Sequence, residues 1–120
     1  MFQYYNANPL GRNVDDCAVR AISKATGKSW DKTYIELSEY ARMKGITFSE
    51  IQFINEYLKE RFQDFSLLKG VYTLQDFIDL DLAGTWLITM PNHITCVINS
   101  VCYDTFYPID KYIWCAYKVK

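Results

Sequence analysis

The sequence predicts an α+β domain in which N-terminal helices pack on a C-terminal antiparallel sheet. Two observations carry this reading. Apolar residues recur at helical spacing as far as about Leu80 and then, after Gly84, gather into short β-prone runs. The helical segments all precede the strands, with short connections between them, which is not the alternating order of a parallel βαβ sheet. The 120 residues suit one domain, spanning 1–120, and contain no repeat, linker or low-complexity stretch.

Residues 1–14, with Asn6, Asn8, Pro9, Gly11 and Asn13, read as an irregular lead-in. Asp15 and Asp16 stand where an N-cap belongs. Ala18, Ala21, Ile22 and Ala25 then share one helical face, and Gly27 supplies a stop. Ser29 caps a second helix with Tyr34, Leu37 and Ala41 as its buried stripe, ending near Gly45. Thr47-x-x-Glu50 has the form of a capping box for a third helix carrying Ile51, Ile54, Leu58 and Phe62. Thr73-x-x-Asp76 opens a short helical turn reaching about Leu80. Strands follow over Thr85 to Met90, His93 to Ile98, Val101 to Phe106 and Lys111 to Val119, with Pro91-Asn92 and Asn99-Ser100 between the first three.

Composition narrows the function classes. Thirteen Lys and Arg against fourteen Asp and Glu give a formal charge of −1, whereas a protein that neutralises phosphates normally carries a basic excess. No nucleic-acid partner is expected. No apolar run approaches the roughly 20 residues that span a bilayer, and the opening Met-Phe-Gln-Tyr-Tyr-Asn lacks the features of a signal peptide. The expectation is a cytoplasmic protein with no membrane partner, in which Cys17, Cys96, Cys102 and Cys115 are free thiols. Ten Tyr, seven Phe and three Trp are many rings for so short a chain. Most are expected to fill the core, and the surplus leaves room for a homo-oligomer.

Gly27-Lys28-Ser29 looks like the end of a phosphate-binding loop, but Ile22 stands where that motif needs its first glycine, and a helix precedes it instead of a strand. A helix stop followed by a cap is the better reading. His93, Cys96, Cys102 and Cys115 form no Cys-x-x-Cys knuckle, and residues three apart on a strand point to opposite faces. No metal and no cofactor are expected.

A thiol and an imidazole remain. Cys17 falls in the first turn of a helix, where unpaired N–H groups and the helix dipole favour an anion. The neighbouring Asp15 and Asp16 oppose this, so an imidazolium is needed nearby, and His93 is the only histidine. If Asn99-Ser100 is a two-residue turn, Ile98 pairs with Val101. Thr95 then faces Asp104 and His93 faces Phe106, so His93 and Asp104 become diagonal neighbours on one face, their backbones roughly 7–8 Å apart. An Asp there could hold the imidazole tautomer and stabilise its charged form. Taken singly, Cys17 reads more readily as a core thiol and His93 as a structural or exposed residue, and only their combination points to a site.

The segments Gly11-Arg12-Asn13-Val14-Asp15-Asp16-Cys17-Ala18-Val19-Arg20-Ala21-Ile22, Asn92-His93-Ile94-Thr95-Cys96-Val97-Ile98-Asn99 and Tyr103-Asp104-Thr105 together resemble the papain-like cysteine peptidase superfamily. The likeness is to its small members, such as the peptidases that cleave bacteriocin leader peptides, and to short phage and bacterial proteins. It implies a minimal papain-like fold, with a Cys opening the central helix, a His opening a strand and an Asp or Asn on the next strand. Cys17, His93 and Asp104 fit that order. Members usually carry a Gln or similar oxyanion donor about six residues before the Cys. Gly11 stands there, and Asn13 is the nearest amide.

The expected function is therefore a small thiol hydrolase that cleaves a peptide, isopeptide or related amide bond of a peptide or protein substrate. Cys17 would be the nucleophile, His93 the base and acid, and Asp104 the orienting group. The alternative is a phage-encoded non-catalytic binding module, an inhibitor or ligand sponge that reuses the fold, with Tyr4, Tyr5, Trp30 and Trp114 as candidate contact rings.

Overall fold

A computed structural model of the chain describes residues 1–47, 51–65 and 69–119. Four helices, α1 (Cys17–Thr26), α2 (Trp30–Lys44), α3 (Ile51–Arg61) and α4 (Leu74–Asp79), accompany six strands among these residues. The strands are β1 (Phe2–Tyr4), β2 (Gln63–Phe65), β3 (Thr85–Met90), β4 (His93–Ile98), β5 (Val101–Asp104) and β6 (Cys115–Lys118). The class is α+β, and the helices precede most of the sheet, as the periodicity predicts. None of the described helices is long and apolar enough to cross a membrane.

Local chemistry explains the helix ends. Gly27 and Gly45 close α1 and α2 in the left-handed region, with φ of 75° and 71°, where a side chain would be strained. The Ser29 side chain accepts the Lys32 N–H at 3.1 Å and starts α2. Gly27-Lys28-Ser29 is thus a stop and a cap. Thr73 and Asp76 form a reciprocal capping box at α4. The Thr47-x-x-Glu50 box and the Ile51 side chain lie outside the described residues.

The helical stripes need two corrections. On α2 the buried face is Thr33, Leu37, Tyr40 and Ala41, while Tyr34 is 46% exposed and stacks on Trp30. On α3, Phe53 and Tyr57 join Ile54 and Leu58 in the core. Tyr40 of α2 and Phe53 and Tyr57 of α3 turn inward and pack against one another, while Tyr34 stays outside. The expected stripes put Tyr34 inside and leave out Tyr40, Phe53 and Tyr57, so the buried faces are wider than the spacing implies.

The sheet runs β1-β5-β4-β3-β6-β2. It is mixed, not purely antiparallel, because β1 pairs parallel with β5. The β4–β5 hairpin has the expected register, Ile98 opposite Val101 and Cys96 opposite Tyr103. Asn99 and Ser100 both adopt positive φ, 47° and 67°, as a two-residue type I′ turn requires. β3 is buried along its whole length. One sheet face carries α1, α2 and α3 through Ala18, Ile22, Leu37, Leu58, Leu87 and Ile94. The other carries α4 and the segment before β6 through Leu74, Phe77, Trp86, Val97 and Ile113.

Two predicted strands are shorter than expected. β5 ends at Asp104 because that residue's own carboxylate takes the Thr105 N–H at 2.7 Å, turning the chain from the ladder. The segment from Lys111 joins β6 only at Cys115, since Ile109, Lys111 and Ile113 bond instead to the backbone of Tyr72, Leu74 and Gln75.

The lead-in also contains a strand that periodicity cannot reveal in three residues. β1 converts β5 from an edge strand into an interior one, and the Tyr5 N–H then donates to the Asp104 carbonyl at 2.8 Å. Replacing Tyr5 by Pro removes that donor, whereas Ala removes only the ring, which lies under the Lys24 ammonium. Tyr5→Pro should lower the unfolding free energy by about 1–3 kcal/mol more than Tyr5→Ala. Urea denaturation of the two variants measures the difference, and coincident midpoints would exclude a buttressing role for this bond.

Candidate active site

Cys17 is the first residue of α1, half-buried, directly after the N-cap position held by Asp16. Asp16 makes no side-chain cap. Its carboxylate is used elsewhere, so the first-turn N–H groups beside Cys17 receive no bond from it. Such a terminus favours negative charge. Across the pocket, Pro91-Asn92 turns the chain, with Asn92 at φ 55°, and His93 opens β4.

The His93 Nε2 and Asp104 Oδ2 atoms lie 2.7 Å apart, with both residues buried. The hairpin register that the sequence implies therefore brings this pair together. Because the carboxylate takes Nε2, Nδ1 is the ring nitrogen that remains for a second partner. Phe106 packs on the imidazole with its ring centroid 4.8 Å away. Cys17 and His93 line one pocket of about 180 Å³, together with Asp15, Asn55, Thr89 and Asn92 and an apolar floor of Ala18, Ile54 and Ile94. Asn13 is exposed and stands away from this lining.

The sequence reading missed the group that holds Asp104. Arg20, one turn beyond Cys17 on α1, is 5% exposed and reaches both Asp104 Oδ1, at 3.3 Å from Nη2, and Asp16 Oδ1 from Nη1. Asp16 Oδ2 in turn accepts the Trp30 indole N–H at 2.9 Å. A continuous polar chain thus runs Trp30, Asp16, Arg20, Asp104, His93. The available signal was the i, i+4 pair Asp16 and Arg20 inside a helix whose other residues are almost all apolar or small. A charge in such a helix requires buried partners.

Charge balance favours a protonated imidazole. Asp16 and Asp104 bring two negative charges and Arg20 one positive, so a protonated His93 makes the buried cluster neutral. Burial by itself pulls the His93 pKa down. The hydrogen bonds that the charged ring donates to Asp104 and Cys17, and the charges on those partners, outweigh it, and the ring rises from 6.5 to about 9. For Asp104, burial pushes the carboxyl up, but the bonds from His93, Thr95 and the Thr105 N–H carry it below its ordinary range. Burial raises the other two core thiols, Cys96 to about 12 and Cys102 to about 11. They lie on opposite faces of the sheet.

Comparison of the chain with protein-family models, with curated proteins and with solved structures finds no match.

Two outcomes follow from the buried cluster. Arg20→Met strands two buried carboxylates, and the unfolding free energy should fall by about 3–5 kcal/mol. Lys28→Ala, which breaks an exposed pair with Glu36, should cost less than about 1 kcal/mol. Similar urea midpoints for the two variants would contradict the assigned role of Arg20. Secondly, the single imidazole can be followed by NMR. It should titrate near 9 in the folded chain, and lower in both Asp104→Asn and Cys17→Ser, because each variant removes a partner that raises it. The folded value lies above the ordinary 6.5. The stability from His93 is therefore fully present below about pH 6.5 and is lost as pH rises through about 9. A wild-type ring titrating at or below 6.5 would refute this assignment.

Proposed function

We propose that the chain is a small papain-like thiol hydrolase acting on a peptide, isopeptide or related amide bond. One observation carries the reading: the only imidazole, charged through Asp104, lines the same pocket as the thiol at the first residue of α1. Cys17 Sγ adds to the acyl carbon, its proton held on His93. The tetrahedral adduct collapses, the C–N bond breaks, and His93 gives that proton to the leaving amine. A thioester of Cys17 remains. Water then attacks it, losing a proton to His93, and the carboxylic acid leaves as the thiol is regenerated. Asp104 holds the ring in the tautomer that presents Nδ1 and stabilises the imidazolium. No step requires a metal or cofactor.

A pocket of about 180 Å³ is smaller than the roughly 300–1,000 Å³ of typical small-molecule sites. It accepts a side-chain-sized group of a longer substrate, the rest of which lies on the surrounding surface.

The thiols provide the test. Cys96 and Cys102 are fully buried and remain protonated at neutral pH, while half-buried Cys115 serves as the internal control. Iodoacetamide at pH 7, with sites resolved by mass spectrometry, should label Cys17 on the order of 10-fold faster than Cys115. His93→Ala should remove the difference. Equal labelling of Cys17 and Cys115 in the folded protein would overturn the thiolate reading and favour a binding module without chemistry.

A further inference from the structure

We propose that Asn55 of α3 donates a hydrogen bond from its carboxamide nitrogen to the oxyanion that forms when Cys17 adds to a substrate carbonyl. The inference rests on the thiol-hydrolase reading of the site. When sulfur adds to the acyl carbon, the C=O π pair moves to oxygen, and the negative charge needs fixed donors. The backbone N–H of Cys17 is one, at the open start of α1. A second must come from a side chain, and the residues upstream of Cys17 supply none: Gly11 has no side chain and Asn13 is exposed, away from the pocket.

Asn55 lines the pocket with Cys17 and His93 from a different helix. Its Oδ1 accepts the hydroxyl of Tyr117 at 3.4 Å, and Nδ2, on the other side of the carboxamide, donates to no side chain or backbone group among the described residues. Tyr117 is fully buried on β6. The carboxamide is therefore oriented by a side chain that the core itself holds, the kind of preorganisation an oxyanion donor requires. The other amide in the lining, Asn92, sits exposed on the β3–β4 turn with no such anchor among the described residues.

Two reagents separate this role from general damage to the site. Acylation by p-nitrophenyl acetate passes through a tetrahedral oxyanion, whereas alkylation by iodoacetamide displaces iodide at a saturated carbon and forms none. Asn55→Ala should slow the release of p-nitrophenolate from Cys17 by about 10²-fold and leave alkylation of Cys17 within a factor of about three. Asn55→Asp keeps the side-chain volume and the acceptor for Tyr117 but replaces the donor by a negative oxygen, so it should lose at least as much acylation. A merely structural Asn55 would be rescued by Asp. Wild-type acylation rates in Asn55→Ala, or parallel losses with both reagents in both variants, would overturn the proposal and leave the hydrolase reading intact. A wild-type chain whose Cys17 is not acylated at all would overturn both.

Discussion

The carboxylate of Asp104 is the constraint on which the rest of the structure depends. It is 2% exposed, and a buried carboxylate without partners costs several kcal/mol. Its partners come from three directions. Arg20 of α1 and the Thr105 N–H share Oδ1, and His93 of β4 holds Oδ2. The backbone carbonyl of the same residue accepts from Tyr5, just after β1. One residue therefore fixes how α1 lies against the hairpin and where the N-terminal strand joins the sheet. It also determines where β5 stops.

That constraint carries over to the thiol. Arg20 can reach Asp104 only if the first turn of α1 sits where β4 begins and β5 ends, and Cys17 lies one turn before Arg20. Asp16 supplies Arg20 with a second carboxylate and is itself held by the Trp30 indole at the start of α2. The price of this arrangement is an uncapped helix start, since Asp16 no longer bonds its own N–H groups. Open donors beside Cys17 are also what an anion there requires.

Local chemistry made much of this legible in the sequence. Capping residues, the glycine stops and the Asn99-Ser100 turn each act over four residues or fewer, and the structure follows them at Ser29, Thr73, Gly27 and Gly45. The turn length alone sets the β4–β5 register, so the pairing of His93 with Asp104 follows from counting. What escaped depends on distant partners. A three-residue strand such as β1 has no periodicity, and only its pairing with β5 makes it one. The role of Arg20 depends on Asp104, 84 residues away. Asn55 is one more polar residue on an amphipathic helix until Tyr117, 62 residues later, holds its carbonyl oxygen. The segment before β6 has strand-like composition, yet its backbone groups go to the start of α4.

A chain of 120 residues has little surface to spare, and its site is built from residues that also hold the fold. Asp104 ends a strand and orients an imidazole. Asp16 opens a helix and neutralises a guanidinium. Tyr117 fills the core and holds an amide. Stability and chemistry are then coupled through one charge balance. Two buried carboxylates against one guanidinium leave a negative excess that a proton on His93 offsets, and a protonated His93 is what the proposed reaction needs to protonate the leaving amine. The fold thus favours the ionisation state that the proposed chemistry uses. Because buried charges interact strongly where water is excluded, losing any one of these groups alters the other three.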